Sequence, residues 1–267
     1  MVELGSTIKV ISKLLRDFLV AEEYAYREGF LQGVNQKVKL MAIFLLIVLA
    51  VSTQNVFFLL ILFLFSLAMV LLSNISLKMY LPRFGFIPLF AFIIVLPWIF
   101  LIPGQPVFTL LGLNVTMPGI VYVITFTLRV TACVSCISLL LFTTRASDLL
   151  YTLKSLKIPA LLVDMFGLVY RYLFTFLSEL ERMLLGRECR VVSDQGLLKN
   201  WRDGGMLVGS FLSRTFSRGE NVYKAMKARG YDGSFKTYPR NHKIDGKSIA
   251  FIALVGIMVG VWLVTRL

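Results

Sequence analysis

VKLMAIFLLIVLAVSTQNVFFLLILFLFSLAMVLL, residues 38–72, holds one charged side chain, Lys39, and one run of polar residues, Ser52-Thr53-Gln54-Asn55. Each flanking segment is near the short end of the roughly 20 apolar residues that a membrane crossing needs, and the polar run supplies turn chemistry between them. The stretch reads as a helical hairpin in lipid. Its surroundings agree: from Met41 to Phe142 there is no acidic residue, and Lys78, Arg83 and Arg129 are the only basic ones. Phe86–Ile102 reads as a third span, with Lys78 and Arg83 in a short basic loop before it. Gly119–Phe142 reads as a fourth and Ser248–Val264 as a fifth. The uncharged Pro103–Pro118 stretch, with Gly104, Gly112, Asn114 and three prolines, reads as a translocated loop.

The whole chain has the same balance. Of its 267 residues, 57% are apolar and 16% charged, far from the roughly 25% charged of soluble domains. The apolar excess also excludes disorder. Charge concentrates in two blocks, six basic and five acidic residues within 1–39 and 18 basic and ten acidic within 143–247. Placing Lys37, Lys39, Lys78, Arg83 and Arg145 on the cytoplasmic side requires an even number of crossings between them, and the assigned spans supply two each time. The expected fold is all-α and polytopic. Its expected segments are an N-terminal cytoplasmic or interfacial one (1–39), a four-span region (40–142), a cytoplasmic coupling region of long amphipathic helices (143–247) and a C-terminal transmembrane helix (248–267). Within the first, Ile8, Ile11, Leu15, Phe18 and Leu19 recur at helical spacing and predict an interfacial helix over 6–20. Lys9, Lys13, Arg16 and Asp17 interrupt that apolar run, against a cleavable signal peptide.

In the basic region, Leu149–Leu156 reads as a short helix stopped before Pro159. A long amphipathic helix follows from Ala160 to about Arg190. Another runs from about Met206 to Ala228, with Val208, Leu212, Thr215, Val222 and Met226 on one stripe, and Val192–Gly205 as the connector. Gly230, Asp232 and Gly233 end the second helix.

Catalytic chemistry is hard to find. Gly246-Lys247-Ser248 resembles the end of a phosphate loop, but Asn241 stands where its first glycine is required. His242 is the one histidine and reads as a solvated loop residue. Cys133 and Cys136 form C-x-x-C inside an apolar span, where small residues serve close helix packing. Arg129 reads as reaching the outer interface by snorkelling, with a contact to a partner subunit as the alternative. No nucleophile–base pair, carboxylate pair or dinucleotide loop is present, so the expectation is a non-enzyme with no catalytic, cofactor-binding or metal-ligating residues. The basic excess beside lipid is explained by anionic headgroups and the positive-inside bias rather than by nucleic acid.

The sharpest local signal is Arg218-Gly219-Glu220-Asn221-Val222-Tyr223-Lys224-Ala225-Met226-Lys227-Ala228-Arg229-Gly230. At about 100° per residue, Arg218 and Arg229 fall nearly in register on one face. Small neighbours, Ala225, Ala228 and Gly230, let a planar guanidinium enter a narrow groove and bind a carboxylate with paired hydrogen bonds. Glu188-Cys189-Arg190-Val191 echoes it at the end of the preceding helix, which suggests a bivalent contact with a two-site partner. The alternative is that both arginines merely favour helix C-termini through the dipole.

With Ala228-Arg229-Gly230, preceded by Arg218, Val222-Tyr223 and Ala225-Met226, the chain resembles the transmembrane T component of energy-coupling-factor transporters, most of all the cobalt-type CbiQ family. Thr143-Thr144, Asp148-Leu149-Leu150, Ile158-Pro159, Tyr170-Arg171-Tyr172, Glu181-Arg182-Met183 and Asn35–Leu40 extend the likeness along nearly the whole chain. The resemblance implies a coupling subunit between ABC-type ATPase subunits, two copies or a pair, and a small substrate-binding membrane subunit that is metal-binding if cobalt is the cargo. ATP and Mg would belong to the ATPases. It implies that Arg190 and Arg229, with Ala228 and Gly230, contact the ATPases, supported by Glu188, Cys189, Arg218, Val222, Ala225 and Met226. Cys189 and Val191 depart from the Ala-Arg-Gly pattern in the first motif, and Gln36 replaces a proline. Nickel or a vitamin is the alternative cargo, and a stand-alone secondary transporter or channel the alternative class.

Overall fold

Asn35 and Asn55 bracket the first apolar segment, and each side chain accepts a hydrogen bond at 3.0 Å from a backbone N–H two residues on, Lys37 and Phe57. Such caps satisfy donors that a helix start leaves open. They begin α1 (Gln36–Ser52) and α2 (Val56–Leu72), the expected hairpin. This is a computed structural model, and it describes residues 29–75, 77–103, 106–110, 113–156, 158–190, 196–233 and 245–266. The helix expected over 6–20 and His242 lie outside those residues.

α2 is apolar all round. Phe58, Leu59 and Leu62 are fully buried, yet the neighbouring Phe57 is 78% exposed and equally apolar. A helix with no polar face is stable only where its outer side meets protein or lipid. It ends at Ser73-Asn74. Asn74 takes a positive φ of 52°, its N–H bonds Leu71 O, and the Ile75 N–H returns to Val70 O. Those paired bonds form a Schellman stop, closed by buried Val70 and Ile75.

α3 (Leu77–Val95) and α4 (Trp98–Leu101) share the third apolar segment. The basic loop expected around Lys78 and Arg83 is therefore helix. Tyr80 accounts for it: its ring is buried and its hydroxyl lies 2.6 Å from the Ser135 hydroxyl, so the α3 start is held inside the bundle. Ser66 of α2 also bonds Ser135, giving a three-hydroxyl link among α2, α3 and the central helix. Pro97 lacks an N–H and crowds the preceding turn, and the helix breaks at 96–97.

The expected loop over 103–118 is in part a β-hairpin. β1 (Pro106–Leu110) pairs antiparallel with β2 (Leu113–Thr116) in the register Thr109↔Asn114, with an irregularity between Pro106 and Phe108. Among the described residues it is the one departure from an all-α chain. Thr116 then caps α5 (Met117–Thr143), its hydroxyl accepting from Gly119 N–H. A Cβ on Gly119 would stand 2.7 Å from Ile99 O, so only glycine allows α4 this close.

α5 is the centre of the membrane unit, touching α1, α2, α3 and α4. Two cations fix α1 against it. Lys39 at the α1 start is buried and donates to Thr143 O at 2.9 Å, the C-terminal carbonyl end of α5. Arg129 of α5 donates to Thr53 O at 2.7 Å, the cap of α1. Each cation thus meets the negative end of the opposite helix dipole. The contacts are 14 residues apart on both helices, so α1 and α5 run antiparallel in one register. Arg129 consequently lies level with the α1–α2 turn, where the apolar hairpin ends. Cys136 is 1% exposed beside fully buried Ala132 and Ser135, a packing position.

The last helix of the membrane unit spans Gly246–Arg266. It packs on α1 and α2, and its Ser248 hydroxyl accepts from Asn35 N–H at 3.0 Å. The described residues divide into two compact units, one within Glu22–Arg145 and Arg240–Leu267, the other within Ala146–Pro239. The second unit contains a short helix (Ala146–Ser155), then α6 (Ala160–Glu188), α7 (Leu197–Ala228). Residues 160–188 are long and apolar enough, by length and composition, to cross a membrane, as are 117–143 and 246–265. Asp164, Arg171, Glu179, Glu181 and Arg182 nevertheless divide that helix so that 172–178 is its longest uncharged run.

Candidate coupling site

The second unit is built as a braced pair of helices. Lys154 and Asp164, 3.1 Å apart across the Ile158-Pro159 break, tie the short helix to the start of α6. Asp164 is 7% exposed, so this pair is largely withdrawn from water. α6 and α7 then run in opposite directions. Near one end Arg187 donates to Asn200 O at 3.2 Å and lies 4.0 Å from Asp203. Farther along, Phe176 and Phe211 meet edge to face at 6.2 Å, Arg218 lies 5.9 Å over the Phe176 ring, and Glu179 pairs with Arg218 at 3.2 Å and with Arg214 at 3.8 Å.

These contacts revise two expectations. α7 begins at Leu197, so most of the expected connector is helix. The propensity lost at Gly204 and Gly205, about 1 kcal/mol each, is offset by tertiary contacts such as those of Asn200 and Asp203 with Arg187. The inward stripe also differs. Val208 and Leu212 are exposed, and Phe211, Thr215, Arg218, Val222 and Met226 form the less exposed face.

Arg229 is the C-cap of α7, with backbone φ −91° and ψ 8°. Gly230 follows at φ +81°, its N–H bonds Lys227 O at 3.0 Å, and the Tyr231 N–H returns to Met226 O at 3.0 Å. This is a complete Schellman stop. A Cβ on Gly230 would meet nothing within 4 Å, so glycine is required by the left-handed backbone and not by space. Ala228-Arg229-Gly230 is therefore a device that ends a helix abruptly with an arginine on its last residue. Ala228 and Ala225 are exposed beside it, and Val222 and Met226 are partly covered.

α6 ends one residue sooner relative to its motif. Cys189 is its C-cap, and Arg190 follows with its N–H on Arg187 O at 3.0 Å. Glu188, Cys189 and Arg190 are all exposed. Neither Arg190 nor Arg229 forms a side-chain hydrogen bond or ion pair with a described residue, whereas Arg218 is paired to Glu179. The shared register of Arg218 and Arg229 thus separates into a brace and a free tip.

Because α6 and α7 are antiparallel, their C-termini lie at opposite ends of the pair. Arg229 lines a groove of about 530 Å³ with Leu168, Arg171 and Tyr172 of α6. From Arg171 to Arg190 is about 28 Å at 1.5 Å per residue. Two exposed guanidiniums, held that far apart on a stiff support, can engage two separate carboxylate sites. Arg171 was visible in Tyr170-Arg171-Tyr172, but only the fold places it in the Arg229 groove.

Residues 28–239 match the family described as CbiQ, cobalt transport protein. An uncharacterized protein of Methanocaldococcus jannaschii is 34% identical over 252 residues, 92% of this chain and 86% of that protein. A Staphylococcus aureus protein named energy-coupling factor transporter transmembrane protein EcfT is 26% identical over 236 residues, covering 83% and 87% of the two chains. A Methanocorpusculum labreanum protein named as a fused cobalt transport protein, CbiMQ, is 30% identical over 95 residues, 35% of this chain and 16% of that one.

Proposed function

This chain belongs to the CbiQ cobalt transport protein family, and we propose that it is the membrane coupling subunit of an energy-coupling-factor importer. In this reading ATP and Mg are bound by separate ATPase subunits, and a small membrane subunit captures the cargo. Arg229 and Arg190 enter acidic grooves on the ATPases, and the α6–α7 pair carries their displacement toward the cargo-binding subunit. The observation that carries the reading is the placement of two exposed arginines, neither with a side-chain partner among the described residues, at opposite ends of one braced helix pair. Guanidinium–carboxylate pairs are directional and charge-assisted, which suits a contact that must hold during a stroke.

The bracing suits the same task. Helices of 29 and 32 residues, tied at Arg187, Phe176 and Glu179, move as a body when either end is pushed. The positive-inside bias supports a cytoplasmic location for this unit and for the N-terminus. Cobalt is the favoured cargo, supported by the family description and by the name of the fused relative.

Reconstitution of the chain with its ATPase and cargo-binding subunits tests the proposal. Arg229→Ala and Arg229→Glu should each reduce stimulated ATP hydrolysis and uptake at least about tenfold, the scale of a lost interfacial arginine anchor. Unchanged uptake in both would overturn it. Competition between Co²⁺ and Ni²⁺ in the same vesicles tests the cargo, and preferential Ni²⁺ accumulation would replace cobalt.

A further inference from the structure

We infer that Arg171 is a second docking arginine, which shares with Arg229 one acidic side chain of the ATPase partner. The inference rests on the coupling reading above and adds a residue from α6 to a contact otherwise attributed to the end of α7.

The groove at this end has an apolar floor, formed by Leu168 and Tyr172 of α6 and by Val222 and Met226 of α7, and two guanidiniums, those of Arg171 and Arg229. Both arginines are exposed, and neither forms a hydrogen bond or ion pair with a described residue. Along the helix pair three arginines are matched, whereas the exposed Arg182 and Arg202 are, like Arg171 and Arg229, without a side-chain partner among the described residues. Arg187 has Asn200 and Asp203, and Arg214 and Arg218 have Glu179. Asp232 also lines the groove, but it has an interaction of its own and is not a free counterion. Two like charges therefore face one cavity, and neither is paired with the Asp232 that also lines it. An incoming carboxylate relieves their repulsion and accepts directional hydrogen bonds from both.

The occupant that fits is an acidic side chain presented by the ATPase. A carboxylate held by Arg171 and Arg229 together bridges the two helices, so the partner pulls on α6 and α7 at once. The other end is built differently: the nearby Arg187 is engaged by Asn200 and Asp203, leaving Arg190 as the exposed cation. The two ends are thus inequivalent, and the Arg229 end is the stronger grip.

The test is titration of the purified ATPase subunits onto the full chain in neutral nanodiscs, with thermal unfolding of each variant as the control for folding. Arg171→Ala should weaken ATPase binding about tenfold, and Arg171→Lys, which keeps charge but loses the fork, should weaken it less. In Arg171→Ala/Arg229→Ala the loss should be smaller than the product of the single losses, because both contact one carboxylate. Affinity within twofold of the parent for Arg171→Ala, with Arg229→Ala strongly impaired, would overturn the role of Arg171 while leaving the coupling reading standing. No effect of Arg229→Ala would remove both. A third arm adds phosphatidylserine to the nanodiscs: if Arg171→Ala alters association with anionic lipid and leaves ATPase affinity intact, the groove is a headgroup site and the inference fails.

Discussion

Gly230 shows how one residue sets a functional geometry. With φ at +81°, it lets α7 end at Arg229, and its surroundings leave room for a side chain. Gly230→Ala therefore tests backbone conformation alone. It should cost about 1–2 kcal/mol at the helix end, the penalty for an L-residue in the left-handed region. ATPase affinity should fall with it while overall helicity, followed by circular dichroism, stays unchanged. Arg129 serves stability instead. Arg129→Met removes the donor to Thr53 O and should destabilise the bundle by about 1–3 kcal/mol, read as a lower melting temperature in detergent. Arg129→Lys should recover part of the loss. The sequence marked both residues as exceptional and placed a helix stop at Gly230, yet it could not say that Arg129 caps a neighbouring helix. That depends on what lies within hydrogen-bond reach.

At the scale of elements, the α6–α7 pair is held by few polar ties, and Glu179 gathers two of them. Arg218 is 40% exposed and Arg214 61%, so water screens both pairs. Glu179→Ala should accordingly change stability by less than about 1 kcal/mol. It should nevertheless uncouple the complex: ATPase affinity stays near the parent value while stimulated transport falls, because the two helices no longer move together. Equal losses of affinity and transport would show that Glu179 acts at the docking surface instead. Helix existence and type were legible here from apolar spacing, and so was the stop at Gly230. The α7 start at Leu197 was not, because Gly204 and Gly205 weaken local propensity and the compensating contacts of Asn200 and Asp203 with Arg187 come from another helix. The Lys78–Arg83 segment was misjudged for a similar reason, since buried Tyr80 holds it in α3.

For the whole molecule, the chain carries its own topological probe. Cys189 is exposed next to Arg190, while Cys136 is buried and Cys133 half-buried within α5. A membrane-impermeant maleimide should label Cys189 in inside-out vesicles and leave it unmodified in right-side-out ones, as checked by mass spectrometry. Bound ATPase should slow that labelling, because the adjacent Arg190 is the residue proposed to dock. Labelling from the outer face would refute the cytoplasmic location of the coupling helices. Apolar periodicity, charge-free runs and the Ala-Arg-Gly motif were enough to establish a helical membrane protein with an arginine at an abrupt helix end, because burial in lipid and the ending of a helix are governed by residues close together in the chain. Which cations are engaged and which remain free was settled by folding: Arg129 with Thr53, Arg218 with Glu179 and Arg171 beside Arg229 are meetings of distant segments, and ion pairing depends on distances that linear order does not contain.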